Sequence, residues 1–129
     1  MLLAAWAAIG SPALAASGGT LQSYADCAGI FVIMGITQQL DEERAPPYAR
    51  DVYQKRNEFY LQGMVNLQRR AEKIPGYDEE KFKASSAQAT DREQDALKAS
   101  GAAYLPTFNE KVRICIGMAG LSDIPFPQQ

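Results

Sequence analysis

Apolar residues recur at helical spacing over the first third of the chain. Leu21, Tyr24 and Ala28 stand three or four positions apart, and Phe31 and Gly35 continue the series. That period is typical of one face of an α-helix, and Thr20 precedes it as a candidate cap. The stretch from residue 28 to 36 is apolar almost all round, which predicts a central, buried helix reaching about residue 40. A buried strand remains the alternative for residues 29–36, because periodicity does not separate the two in a short apolar run.

A second helix is predicted to start near Pro46 and Pro47 and to continue to about Lys73. Its apolar residues recur every seven positions, as in the seam of a helical bundle. These positions are Tyr53, Tyr60, Leu67 and Ile74, with Met64 and Ala71 between them and Val52 and Phe59 beside them. The polar Asn57 also falls on the seam. We expect Phe59, Tyr60 and Leu67 to face the core, and Gln62, Gln68 and Arg69 to face away from it.

Two further helices complete the pattern. Asp78 is a suitable cap for a third helix that continues to about Ser100. One face of this helix carries Phe82, Ala89, Ala96 and Ala103, and the small alanines would allow close approach of a neighbouring backbone. The charged runs 41–44 and 91–93 are expected to be solvated. A fourth helix is predicted to present Phe108, Val112, Cys115 and Ala119 on one face and to end at Gly120, before an extended tail.

Four helices joined by short connections predict an all-α, up-down-up-down bundle. The chain has 129 residues, about the size of one domain, and it shows no internal repeat. We therefore expect residues 17–129 to form a single helical domain with an extended C-terminal tail.

The two cysteines fall near the start of the first helix and near the end of the last. In an antiparallel bundle those ends are neighbours, so we predict a disulfide between Cys27 and Cys115. The competing interpretation is a redox-active or metal-binding thiol. Neither cysteine belongs to a C-x-x-C motif, and two isolated cysteines in a chain without histidine form a poor metal site.

The N-terminus has the pattern of an export signal. Residues 1–9 form a short apolar run, residues 10–12 (Gly-Ser-Pro) interrupt it, and Ala13-Leu14-Ala15 supplies small residues where a signal peptidase cleaves. We expect residues 1–16 to be removed, with cleavage after Ala15 or Ala16. The absence of Lys or Arg before the apolar run departs from the usual pattern. The run is too short to cross a bilayer, which takes about 20 apolar residues, so we predict a periplasmic or secreted protein without a stable membrane anchor.

Composition excludes several function classes. The net charge of -2 provides no basic surface for nucleic acid. Histidine is absent, which removes the commonest general base and metal ligand. An exported four-helix bundle invites comparison with cytochrome c′, but residues 115–119 (Cys-Ile-Gly-Met-Ala) lack the second cysteine and the histidine of its haem attachment motif. We therefore predict no cofactor, no metal and no enzymatic activity.

These exclusions favour a non-catalytic binding or interaction protein: an accessory subunit, an inhibitor or a chaperone-like factor that contacts another protein. Aromatic residues at predicted loops and helix ends are the candidates for partner binding, because such side chains are common interface hot spots. They are Tyr48, Tyr77, Tyr104 and Phe126. The alternative hypothesis is a carrier that holds a small apolar ligand in its interior, although close helix packing explains the alanines of the third helix without a ligand.

Overall fold

A computed structural model of the chain describes residues 19–121. This part contains four α-helices and no strand: α1 (Leu21–Arg44), α2 (Arg50–Glu72), α3 (Glu79–Ser100) and α4 (Leu105–Met118). Short 3-10 turns, Pro47–Ala49 and Gly101–Ala103, precede α2 and α4. The all-α prediction is confirmed, and residues 29–36 are helical. The predicted export signal and Phe126 lie outside the described residues.

Local sequence signals explain where the helices begin and end. The Thr20 side chain accepts a hydrogen bond from the backbone N–H of Ser23, whose hydroxyl lies 2.8 Å from the Thr20 N–H, so the two residues form a capping box. α1 continues one turn further than predicted, through its charged end, and stops before Pro46, which disfavours helix in the residue before it. Asp78 caps α3 as predicted, by accepting from the Lys81 N–H at 3.0 Å.

α1 is the central helix, and it packs against α2, α3 and α4. Phe31 is fully buried, and its ring lies 5.4 Å from the ring of Tyr60 on α2. On another side of α1, Thr90 of α3 donates from its hydroxyl to the Gly29 carbonyl at 3.0 Å. Gly35 of α1 lies beside Asn57 of α2, before Tyr60, so α1 and α2 are antiparallel. Leu21 shares a crevice with Phe82 and Gly29 contacts Ala89, so α1 and α3 run parallel, as the predicted up-down-up-down order requires.

The predicted seam of α2 lies in the core. Tyr60, Leu67 and Ala71 are at most 1% exposed, and Phe59 and Met64 are partly buried against them. Gln62 and Arg69 are exposed. Gln68 is half-buried instead, because its amide Nε2 donates to the Tyr77 hydroxyl at 3.0 Å.

Three different contacts hold α4, the shortest helix. The Cys27–Cys115 disulfide joins it to α1, with Cα atoms 5.3 Å apart, as predicted. At its C-terminal end, Arg70 Nη1 of α2 donates to the Met118 carbonyl at 2.7 Å, and Asn66 Nδ2 donates to the Ala119 carbonyl at 3.0 Å. These side chains satisfy carbonyls that a helix end leaves without partners. The third contact joins α4 to α3 through Glu93.

Two expectations about α3 are wrong. Glu93 belongs to the charged run 91–93 that was expected to be solvated, yet it is 1% exposed. Ala103 was expected to continue the face of Phe82 and Ala89, but α3 ends at Ser100 and Ala103 is exposed in the following turn. Gly101, with a φ of 47°, changes the direction of the chain at that point, so the helical phase does not continue into the turn.

Candidate functional site

Of the aromatic residues predicted to bind a partner, the three that the structure describes, Tyr48, Tyr77 and Tyr104, do not form one site. Tyr48 is 88% exposed in the turn after α1. Tyr77 is half-buried near the start of α1, where it shares a crevice with Leu21 and packs against Phe82 with ring centroids 5.8 Å apart. Tyr104 is half-buried before α4 and donates its hydroxyl proton to Glu93. The two half-buried tyrosines therefore close the ends of the core, and among these three described residues Tyr48 presents an exposed ring.

A groove of about 550 Å³ lies between α2 and α3, and α1 forms its floor. Ala28 and Val32 of α1 lie at the bottom. The side chains that form its apolar walls are Leu61, Met64 and Val65 of α2, and Phe82 and Ala87 of α3. We refer to this surface as the α2–α3 groove.

The position of α3 follows from one close contact with α1. A Cβ atom at Gly29 would lie 2.8 Å from Ala89 Cβ and 2.9 Å from the Thr90 backbone nitrogen, closer than real Cβ atoms approach other atoms. The absence of a side chain at Gly29 and the small side chain of Ala89 therefore let the two helices touch. This contact accounts for the buried alanine of α3 without a ligand, and the groove opens beside it.

Two aliphatic side chains on the α2 rim of the groove are exposed to solvent. Leu61 is 48% exposed and Val65 is 42% exposed, one helical turn apart. Single exposed aliphatic residues are common on protein surfaces. A pair beside an apolar groove is a contiguous apolar surface, which in soluble proteins often marks a binding site.

The groove also contains a few polar groups. Ser86 Oγ is buried and has no hydrogen-bond partner in the part of the chain that the structure describes. Asp91 lies at one end of the groove, exposed, and forms no ion pair or hydrogen bond with residues 19–121. Lys83 lies near the other end, where its Nζ is 2.9 Å from Glu79 of the same helix. The groove is thus apolar in its walls, with charged side chains towards its ends.

A second, smaller crevice of about 280 Å³ lies beside the disulfide and contains a polar network. Glu93 of α3 accepts a hydrogen bond from the Tyr104 hydroxyl at 2.5 Å on one oxygen and from Lys111 Nζ at 2.7 Å on the other. Arg92 Nη2 lies 3.6 Å from Asp26 of α1. Two acidic and two basic side chains therefore balance one another across α1, α3 and α4.

The pKa values of Glu93 and Lys111 favour the charged forms of both side chains. Burial raises the pKa of Glu93, but the hydrogen bonds from Lys111 and Tyr104 outweigh it, so that the pKa lies below its ordinary value. Burial lowers the pKa of Lys111, but the hydrogen bonds to Glu93 and Tyr104 and the negative charge of Glu93 together outweigh burial, so the pKa is raised. Both oxygens of Glu93 are engaged in bonds within the protein, so the network connects α3 with the turn before α4 and with α4 itself.

Sequence reasoning missed Glu93 although a signal was present. Glu93 follows Ala89 by four positions and Phe82 by eleven, so it lies on the buried face of α3. Because residues 91 and 92 are also charged, the whole run was expected to face solvent. Ser86 is likewise four positions from Phe82 and falls at the edge of the same face.

Within residues 19–121, no group of three or more His, Cys, Asp or Glu side chains is placed to hold a metal ion. None of the four described helices is both long and apolar enough to cross a membrane. Comparisons with protein-family models, with curated proteins and with solved structures find no significant match.

Proposed function

We propose that this chain is an exported, non-catalytic binding protein whose α2–α3 groove receives an apolar surface of another protein. The observation that carries the proposal is the groove itself: apolar walls, an open side, and the exposed pair Leu61 and Val65 along one rim. Burying such a surface against a partner is favourable by about 25 cal/mol for each Å² of apolar area removed from water.

Two features support the export part of the proposal. Residues 1–16 have the apolar run, the Gly-Ser-Pro interruption and the A-x-A site of a signal peptide. The Cys27–Cys115 disulfide is of a kind that persists in oxidising compartments and is rare in reducing ones. We propose the periplasm or the exterior of the cell as the location.

The second candidate function is a carrier of a small apolar ligand. The volume of the α2–α3 groove supports it, because sites for small molecules occupy about 300–1,000 Å³ and are mostly apolar. The alanine face of α3, which first suggested a carrier, does not contribute, since Ala89 is in tight contact with the Gly29 position.

The deciding experiment compares two exposed alanines of α3. Ala87 lines the α2–α3 groove, whereas Ala84, three positions earlier, is exposed outside it. Ala87→Glu introduces a charged side chain into the groove, and Ala84→Glu introduces the same side chain elsewhere on the helix. We expect native mass spectrometry of protein purified from the exported compartment to show a stoichiometric protein partner in the wild type and in Ala84→Glu, and none in Ala87→Glu.

The same spectra test the remaining parts of the proposal. A mature chain that begins at Ala16 or Ser17 supports export, and a chain that retains Met1 contradicts it. A partner that stays bound to Ala87→Glu would show that the groove is not the binding surface. A bound small molecule without a protein partner would support the carrier instead.

A further inference from the structure

We infer that the occupant of the α2–α3 groove is a single amphipathic α-helix of a partner protein, with a basic side chain at the Asp91 end of the groove. The inference rests on the proposed function and specifies the partner's chemistry. Three observations carry it: the width of the apolar surface, its length, and the polar groups within it.

The apolar surface extends from the floor of the groove to its α2 rim. The apolar surface includes the floor at Ala28 and Val32 and also the rim at Leu61 and Val65, which are 48% and 42% exposed. An α-helix with its side chains is about 10–12 Å across. A helix seated between α2 and α3 covers floor and rim together. A single acyl chain on the floor would leave Leu61 and Val65 in water.

The length of the groove matches the contact face of a short helix. Along α2, the lining residues run from Leu61 to Gln68, a distance of about 10 Å at a rise of 1.5 Å per residue. An amphipathic helix contacts a groove through residues spaced i, i+3 or i+4, and i+7, which span the same two turns. The occupant would lie along α1 as the fourth helix of a second bundle formed with α1, α2 and α3.

The polar groups of the groove set the chemistry of that helix. Asp91 forms no ion pair within the described residues, so a helix laid beside it would remove water from an uncompensated carboxylate unless it brought a cation. Lys83, at the other end, already has Glu79 as a partner. A hydrocarbon chain offers no cation for Asp91, and a fatty acid that placed its carboxylate beside Lys83 would still leave Asp91 unpaired.

The first arm of the test identifies the occupant in place. A photoreactive amino acid is introduced at Val65 and at Ala87 on the two rims, and at Ala84 as the control position outside the groove. The full chain is expressed in its own host, and the crosslinked product is sequenced by mass spectrometry. We expect both rim positions, and not the control, to crosslink to one protein segment with apolar residues at i, i+3 or i+4 and i+7 and with Lys or Arg beside them.

The second arm measures the predicted charge contact with a synthetic peptide of the crosslinked segment. We expect the peptide to become helical on binding, and Asp91→Asn to weaken its affinity about fivefold, the equivalent of a solvent-accessible ion pair. Asp95→Asn, one turn further along α3 and outside the groove, should change the affinity less than about twofold. Asp91→Lys in the protein, combined with Lys→Glu or Arg→Glu in the peptide, should restore the affinity.

The outcomes separate the two proposals. A crosslink from both rims to a lipid, to a second copy of this chain, or to a segment without helical periodicity overturns the helix inference and leaves the groove as a binding surface. Equal affinities of the wild type and Asp91→Asn for the peptide overturn the charge contact and with it the inference as stated. The absence of any crosslink from either rim overturns the proposed function itself.

Discussion

Lys111 Nζ lies 2.7 Å from Glu93 Oε2, in an ion pair that joins α4 to α3. The carboxylate is 1% exposed, whereas the lysine side chain is 40% exposed. The other oxygen of Glu93 accepts from the Tyr104 hydroxyl. A buried charge is tolerated when it is paired and hydrogen-bonded, so the position of α4 depends on this network as well as on the disulfide.

Removing the charge of Glu93 should destabilise the fold. Glu93→Gln preserves the size of the side chain but loses the ion pair, and the new amide NH₂ takes the place of one acceptor oxygen, facing either Lys111 or Tyr104. We expect a loss of about 1–3 kcal/mol in the free energy of unfolding, the cost of leaving buried polar groups without suitable partners. Urea denaturation of the two proteins measures it. Glu110→Gln is the control, because Glu110 is exposed and pairs with Arg113 of the same helix; a comparable loss there would contradict the assigned role of Glu93.

The same pair predicts how stability depends on pH. The pKa of Glu93 is lowered by folding, so its contribution is complete above the ordinary pKa of a glutamate and is lost as the pH falls through the lower, folded value. The pKa of Lys111 is raised from its ordinary value of 10.5, so its contribution is complete below 10.5 and is lost as the pH rises through the folded value. The stability difference between the wild type and Glu93→Gln should therefore be constant near neutral pH and shrink on acidification. A stability difference that grows on acidification would contradict a lowered pKa of Glu93 in the folded protein.

The parts of the fold that sequence predicts are those determined by local patterns. Apolar spacing located α1 and the seam at Tyr60 and Leu67, and cysteine placement at opposite ends of the chain predicted the disulfide. Glu93 was missed because burial of a charge depends on Lys111, which lies in another helix. The groove was missed for a related reason: periodicity shows which face is apolar, but the contact between Gly29 and α3 decides how the helices are spaced.

Two glycines in helices should respond in opposite ways to the same substitution. A methyl group at Gly29 would meet the Ser86 carbonyl and Ala89 Cβ across the α1–α3 contact, whereas nothing lies within 4 Å of the Cβ position at Gly117. We expect Gly29→Ala to lower stability by about 1–3 kcal/mol, as overpacking does. Gly117→Ala should raise it by about 0.5–1 kcal/mol, because alanine is the better helix former. Thermal or urea denaturation distinguishes the two, and a stable Gly29→Ala would show that α3 is not held at this contact.

The disulfide should supply a large share of the stability of the domain. Cys27 and Cys115 are separated by 88 positions, and the chain-entropy estimate for a loop of this length is roughly 4–5 kcal/mol as an upper value. We expect the double variant Cys27→Ala with Cys115→Ala to unfold at a much lower urea concentration, and reductant to shift the wild type but not the variant. Labelling of unreduced, unfolded wild-type protein should find no free thiol. Two reactive thiols would refute the link.

Leu67 and Leu61 of α2 allow a matched test of core against binding surface. Leu67 is fully buried beneath α1, whereas Leu61, six positions earlier on the same helix, is 48% exposed on the rim of the α2–α3 groove. Leu67→Ala removes buried methyl groups and leaves a cavity, which should cost about 2–5 kcal/mol. Leu61→Ala should cost less than about 1 kcal/mol, since its side chain contributes little to the core and water can take its place.

The effects of the two substitutions on partner binding should be the reverse of their effects on stability. Leu61→Ala should weaken the affinity for the partner, whereas the folded molecules of Leu67→Ala should bind the partner as the wild type does. If Leu61→Ala proved as destabilising as Leu67→Ala and bound its partner normally, the exposed rim would belong to the core and the α2–α3 groove would lose its assignment as a binding surface.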